Sequence, residues 1–212
     1  MKKLFLASWF AETACLLSNF MKEDLNGKKC IFIPTAGLHE MSDEDREGLD
    51  LFNQADKEAL QNLGLVVEEL EVSQEPYEVI EKAVSSADCI FVCGGSTLFL
   101  LQALKRKSAD KLIRNHIEAG KLYIGSSAGS ILMQTHVVSD NSENPEYAPE
   151  LNGDFSGLGY IDFCLYVHYG GNYWGNDDES IAKYYAKLNC KTLSDKQAVT
   201  VDGDKIEIVT SP

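Results

Sequence analysis

A Gly-x-Ser-x-Gly stretch runs from Gly125 to Gly129, between an apolar run and a helix-like run. At such a strand-to-helix turn, the hydroxyl of Ser127 is exposed and the free N–H groups of the helix start can stabilise a developing oxyanion. The small flanking residues permit the tight turn. The motif therefore predicts a nucleophilic serine. The alternatives are a Gly/Ser-rich connection or a phosphate-binding loop without a nucleophile.

Two other stretches also follow strand-like runs. Gly94-Gly95 ends "DCIFVCGG" and opens a helix at Ser96-Thr97, and His168 ends "FCLYVH". Ligands of open parallel sheets bind beyond the carboxyl ends of the strands, so we predict that both stretches meet Ser127. His168 is then the candidate general base, and the N–H groups of Gly95 and Ala128 are candidate oxyanion donors.

The remaining histidines are weaker candidates for the base. His136 lies in a loop close to the serine motif and is the main competitor, while His116 is predicted on a helix surface; the third is His39. A carboxylate that orients the base is expected from "HVVSDNSENPEYAPE" or from an unrelated loop. The alternative interpretation of that stretch is a solvated acidic loop. It carries four acidic residues: Asp140, Glu143, Glu146 and Glu150.

Strand-like and helix-like segments alternate along most of the chain, which predicts an α/β fold with a mostly parallel sheet. "SDEDREGLDLFNQADKEALQNLG" is predicted to be one helix, and "DDESIAKYYAKLN" another. The tail "QAVTVDGDKIEIV" predicts a C-terminal β-hairpin with a type I′ turn at Asp202-Gly203. No linker or repeat divides the 212 residues, so we expect a single domain over 1–212.

The composition argues against several classes of partner and cofactor. A formal net charge of −14 disfavours nucleic acid and anionic lipid surfaces. No P-loop or Gly-x-Gly-x-x-Gly motif is present, and the spacing of Cys89 and Cys93 lacks a second pair, so no cofactor and no metal are expected. The cysteines lie in apolar runs, as reduced cysteines of a cytoplasmic protein do, and we therefore predict that location. The sequence has no apolar stretch of about 18 residues, so we expect no membrane-spanning helix.

Three motifs in this order and spacing resemble the peptidase E (aspartyl dipeptidase) family of serine peptidases, relatives of cyanophycinase: "CGGSTLFLLQAL", "AGKLYIGSSAGS" and "VHYGG". "IPTA" after the second strand and the closing "VDGDKIEIV" agree as well, so the resemblance spans essentially the whole chain. It implies a three-layer αβα sandwich similar to class I glutamine amidotransferases, with serine in place of their elbow cysteine.

The resemblance also implies roles for individual residues. Ser127 would be the nucleophile and His168 the base, with oxyanion donors at Gly95 and Ala128. The acid of the family matches "VVSDN" best, hence Asp140, with Glu143 as a rival.

The family's arginine for a substrate aspartate has no match in "GNYWGNDDESIAKYY", where Lys183 is the nearby cation. Strict aspartate specificity is therefore not expected. We predict a dipeptidase-like serine peptidase acting on small peptides, as a monomer or homodimer. The alternatives are an esterase or amidase on non-peptide acyl substrates, and a non-catalytic binding protein that keeps the fold.

Overall fold

The computed structural model describes residues 1–39, 43–137, 148–171 and 189–212. These residues form nine strands and seven α-helices, with short 3₁₀ turns between some of them. The strands are β1 Lys3–Ala7, β2 Lys29–Ile33, β3 Val66–Glu69, β4 Cys89–Val92, β5 Leu122–Ser126, β6 Cys164–Tyr166, β7 Cys190–Thr192, β8 Gln197–Asp202 and β9 Lys205–Thr210. The helices are α1 Phe10–Thr13, α2 Leu17–Met21, α3 Asp43–Asn62, α4 Tyr77–Ser86, α5 Thr97–Arg106, α6 Ala109–Glu118 and α7 Ala128–Ile131.

Seven strands form one sheet in the order β3-β2-β4-β5-β1-β8-β9. The pairs from β3 to β1 are all parallel, while β8 is antiparallel to both β1 and β9. Every residue of the central strands β4 and β5 is buried, which explains their nearly continuous apolar sequence. The prediction of an α/β fold with a mostly parallel sheet is confirmed.

Aromatic side chains and helices cover this sheet. Phe10 from α1 packs edge-on against Phe91 of β4 with ring centroids 5.2 Å apart, and Phe32 of β2 stacks on Phe91 at 5.0 Å. Helix α1 contacts α3, and helix α6 contacts both α4 and α5. No helix within the described ranges is long and apolar enough to cross a membrane.

The C-terminal hairpin is present, but its turn differs from the prediction. Asp202 pairs with Lys205 inside the ladder, so the two turn residues are Gly203 and Asp204. Gly203 has a φ of 64°, whereas Asp204 does not have a positive φ. A positive φ at the first turn position alone is the feature of a type II′ turn, so the predicted type I′ turn at Asp202-Gly203 was wrong.

The strand that precedes His168 does not belong to the main sheet. β6 pairs in parallel with β7 in a separate two-stranded sheet, so its carboxyl end is not an edge of the seven-stranded sheet as we predicted. The helix predicted over 177–189 lies outside the described residues except for its last position. The predicted helix from Ser42 is α3, which the structure describes from Asp43.

Candidate active site

The Gly-x-Ser-x-Gly stretch forms a sharp turn between β5 and α7. Ser127 has φ 50° and ψ −113°, a conformation that serine rarely adopts and that packing must hold in place. A Cβ on Gly125 would lie 2.6 Å from the carbonyl carbon of Gly129, and one on Gly129 would lie 2.1 Å from the carbonyl oxygen of Val92. Both glycines are therefore required by the close approach of the backbone.

His168 lies directly beside this serine. Its Nε2 is 3.0 Å from Ser127 Oγ, and the ring is almost completely buried. The ring is also packed edge-on against Phe52, with centroids 5.6 Å apart, and Phe52 in turn stacks on Trp9 at 4.8 Å. The structure thus brings together the two residues that sequence reasoning placed at separate strand ends, with an aromatic wall behind the imidazole.

Asp195 is the carboxylate on the other side of the imidazole. Its Oδ1 is 2.5 Å from His168 Nδ1. Burial raises the pKa of the Asp195 carboxyl, but the hydrogen bond and charge of His168, with a hydrogen bond from Ser8, outweigh this effect and hold the pKa below its ordinary value. An ionised carboxylate can only accept, so Nδ1 carries the proton and Nε2 is free to accept the Ser127 hydroxyl proton.

Sequence reasoning missed Asp195. The acid candidates Asp140 and Glu143 lie outside the described residues. The available signal was the run "KTLSD", in which a carboxylate follows a short strand, as His168 does. The tail of the sequence suggested no chemistry, because no pattern in it shows that β7 pairs with β6 and so places Asp195 beside His168.

A tight turn leaves space for Asp195 beside His168. The N–H of Gly171 donates to the carbonyl of His168 at 3.0 Å, which closes the turn. A Cβ on Gly171 would lie 3.1 Å from Asp195 Oδ2, closer than nearly all real contacts of this kind. Gly171 is therefore explained by the proximity of the carboxylate, and Gly170 by its positive φ of 72°.

The predicted oxyanion loop lies against the serine. A Cβ on Gly94 would be 3.2 Å from the Cβ of Ser127, so the end of β4 passes immediately beside the nucleophile candidate. Gly95 has a φ of 132°, and a Cβ there would lie 2.2 Å from the carbonyl oxygen of Ala36. Ser96 caps α5 by accepting a hydrogen bond from the N–H of Phe99 at 3.2 Å, so the helix opens where the sequence predicted.

The other three histidines have other contacts. His116 is buried rather than exposed on the helix surface, so that prediction was wrong: its Nε2 is 3.0 Å from the carbonyl oxygen of Leu122, and burial lowers its pKa to about 4. His136 packs against Phe155 with ring centroids 6.2 Å apart. His39 Nδ1 lies 3.4 Å from the carbonyl oxygen of Ala36.

No group of three His, Cys, Asp or Glu side chains in the described part of the chain is arranged to hold a metal ion. The stretch that the sequence compared with the family's arginine region begins at Gly171, and the rest of it, including Lys183, lies outside the described residues.

Known proteins of one family match this chain along most of its length. Residues 5–209 match peptidase family S51. An uncharacterized peptidase of Listeria innocua is 37% identical over 208 residues, which cover 97% of this chain and 95% of that protein. A protein named peptidase E from Shewanella amazonensis is 33% identical over 144 residues, covering 68% of this chain and 55% of its own length.

Solved structures agree with the sequence matches. A crystal structure of a peptidase E-type protein from Listeria monocytogenes superposes with a TM-score of 0.88 at 34% identity, covering 100% of both chains. The structure of a peptidase from an acI-B1 actinobacterium superposes at 0.69 with 20% identity, covering 100% of this chain and 88% of that one, and shares the fold.

Proposed function

Because the chain belongs to peptidase family S51 and is a serine peptidase of the peptidase E family, we propose that Ser127, His168 and Asp195 form its catalytic triad. The proposed reaction is hydrolysis of short peptides through an acyl-enzyme. The observation that carries it is the continuous relay from Ser127 Oγ through the imidazole to Asp195, with contacts of 3.0 and 2.5 Å.

In the first half of the proposed reaction, Ser127 Oγ attacks the carbonyl carbon of the scissile peptide bond while Nε2 of His168 accepts the hydroxyl proton. The carbonyl oxygen becomes an oxyanion, and the N–H groups of Gly95 and Ala128 donate to it. His168 then gives the proton to the leaving amine, the C–N bond breaks, and an ester to Ser127 remains.

In the second half, water repeats these steps against the ester. His168 accepts a proton from the water, the hydroxide oxygen bonds to the acyl carbon, and the proton returns to Ser127 as the carboxylic acid leaves. Throughout, Asp195 holds the Nδ1–H tautomer and stabilises the imidazolium by its charge. Its lowered pKa favours this role, because the carboxylate stays ionised at neutral pH.

The proposed preference for short peptides rests on the similarity of this chain to known peptidases. The relative from Shewanella amazonensis is named peptidase E, and the sequence resemblance to aspartyl dipeptidases spans the chain. We also expect the three-layer αβα arrangement of that family. The strained serine and the low-pKa acid count against a non-catalytic binding protein, while an esterase or amidase would use the same groups.

The test is covalent labelling with phenylmethylsulfonyl fluoride followed by peptide mass mapping. The proposal expects one adduct on Ser127, none in Ser127→Ala, and loss of peptide hydrolysis by several orders of magnitude in that variant. Ser130→Ala, which removes a neighbouring hydroxyl on α7, is the matched control and should still be labelled at Ser127. An adduct on another serine, or hydrolysis by Ser127→Ala within about tenfold of wild type, would contradict the assignment.

A further inference from the structure

Ser8 occupies a central position among the three triad residues. It follows β1, the strand that lies between β5 and β8 in the main sheet, and its side chain is completely buried. Its N–H donates to the carbonyl oxygen of Gln197, the first residue of β8, at 3.0 Å. Its backbone is therefore fixed by the sheet, independently of the two-stranded sheet that carries the base and the acid.

Ser8 contacts the base and the acid through one hydroxyl. The backbone N–H of His168 donates to Ser8 Oγ at 2.7 Å, and the Ser8 hydroxyl donates to Asp195 Oδ1 at 3.1 Å. A hydroxyl has one proton to give and two lone pairs, so both contacts can form at once. The single oxygen thus joins the segment after β6 to the segment after β7.

Ser8 contacts the nucleophile segment through its carbonyl group. The N–H of Ser127 lies 3.1 Å from the carbonyl oxygen of Ser8 and 3.1 Å from that of Ala7. Ser127 and His168 both have positive φ values, of 50° and 58°. Because residues other than glycine disfavour this conformation, each needs fixed partners, and Ser8 supplies one to each backbone N–H.

From these contacts we infer that Ser8 is a positioning residue, which sets the mutual geometry of Ser127, His168 and Asp195 and tunes the carboxylate of the acid. The inference rests on the proposed triad. The inference goes beyond the triad, because it gives a role to a residue that takes no part in bond making and that no sequence motif identified.

The hydrogen bond to Asp195 gives this role an electrostatic signature. Donation from the Ser8 hydroxyl is one of the interactions that lower the pKa of Asp195. Without it the carboxylate is more basic and is a stronger acceptor for the Nδ1–H of the imidazole. Because the base and the acid form a coupled pair, we expect the acid limb of the activity profile to move to higher pH. A residue that served packing alone would leave this limb in place.

The experiment measures the second-order rate of inactivation by phenylmethylsulfonyl fluoride between pH 5 and 9, a reaction that needs no knowledge of the substrate. Ser8→Ala is compared with wild type and with Ser130→Ala. Ser130 is a matched control, because its fully buried hydroxyl donates to the carbonyl of Ala7 at 2.7 Å, next to Ser8, without contacting the base or the acid.

We expect Ser8→Ala to react at least about tenfold more slowly on the pH plateau, with its acid limb displaced to higher pH. Ser130→Ala should keep the wild-type limb and a rate within about threefold. Ser8→Cys, which preserves packing but has a weak hydrogen-bonding thiol, provides the test if Ser8→Ala does not fold, and should shift the limb in the same direction.

An unshifted limb in Ser8→Ala, or in Ser8→Cys if it is the variant that folds, overturns the inference. An equal displacement in Ser130→Ala also overturns it, since the effect would then belong to the packing around β1. Failure of the proposed function looks different: wild type itself would not be labelled on Ser127. If wild type is labelled on Ser127 and the Ser8 variants behave like wild type, the proposed triad is supported and the role of Ser8 is contradicted.

Discussion

Nδ1 of His168 and Oδ1 of Asp195 lie 2.5 Å apart, although the two residues are 27 positions apart in the chain. Each residue follows one strand of the parallel pair β6–β7, in which Tyr166 is opposite Thr192. The pairing of these two short strands therefore brings the proposed base and acid together, and the loop from β7 to β8 presents the carboxylate to the imidazole.

The acid assignment can be tested by three isosteric changes. Asp195→Asn should reduce kcat/KM about 10²–10⁴-fold, because the amide cannot hold the Nδ1–H tautomer or stabilise the imidazolium. Asp140→Asn and Glu143→Gln, the sequence candidates, are the comparison and are expected to stay within about threefold in kcat/KM. The measurement is kcat/KM on one dipeptide. A larger loss in Asp140→Asn than in Asp195→Asn, with both proteins folded, would move the acid to Asp140.

The base assignment is tested by a pair of histidine variants. His168→Ala should lower kcat/KM by about 10⁴-fold or more, since the serine then has no proton acceptor. His136→Ala should remain near wild type, because its ring packs on Phe155 outside the relay. Steady-state kinetics on both variants decides the point, and an essential His136 beside a dispensable His168 would place the base in the loop after the serine motif.

The glycines of the serine turn should be irreplaceable for steric reasons. Gly129→Ala places a Cβ 2.1 Å from the carbonyl oxygen of Val92, so we expect destabilisation of about 3 kcal/mol and loss of activity. Gly48→Ala on α3 is the control, because a Cβ there meets no atom within 4 Å. Helix propensity predicts that this change raises the free energy of unfolding by about 0.5–1 kcal/mol. Urea denaturation measures both. Equal stability of Gly129→Ala and wild type would contradict the close approach.

Asp56 should make the stability of the protein fall as pH rises. Its completely buried carboxyl accepts a hydrogen bond from the N–H of Ala11 at 2.8 Å. Burial raises its pKa to about 7, and the polar groups of Ser126, Ala11 and Trp9 around it offset this effect in part. The folded state then binds more protons than the unfolded state between pH 4 and 7. Asp56 therefore lowers the free energy of unfolding across this window, by up to about 4 kcal/mol.

Asp56→Asn removes this titration and keeps the acceptor oxygen. The variant should match wild type near pH 4 and become progressively more stable than wild type up to pH 8, as measured by urea denaturation at several pH values. His116 titrates in the opposite sense, but it is present in both proteins and cancels in the difference. A difference between the two proteins that does not change with pH would show that Asp56 is already ionised in the fold.

Substrate selectivity follows from the acidic stretch 177–179, which the sequence aligned with the family's arginine region. We expect kcat/KM for Asp-Leu to exceed that for Ala-Leu and Lys-Leu by less than about tenfold, because hydrogen bonds to a charged group are worth about 1.5–3 kcal/mol and the arginine that would make them is absent. Glu179→Arg should improve Asp-Leu, with Glu179→Gln as the charge-neutral control. A preference for Asp-Leu of a hundredfold or more in wild type would mean that another cation replaces the arginine.

The local features of this protein followed from the sequence alone. Apolar runs gave the strands of the main sheet, and the Gly-x-Ser-x-Gly spacing gave a turn in which glycine is required at both ends. These features depend on neighbours within a few residues, on side-chain periodicity and on the volume of a Cβ atom, all of which can be read along the chain.

The contacts between distant segments were decided by tertiary structure. His116 occupies a helix position that a one-dimensional pattern leaves open, and packing against β5 buried it. Asp195 stands in an ordinary polar run, and it became the partner of His168 because β7 pairs with β6 rather than with the main sheet. Ser8 contacts all three residues of the proposed triad because β1 lies between β5 and β8 in the sheet. Strand pairing between distant segments is settled by burial and hydrogen bonding in three dimensions, and no local spacing encodes it.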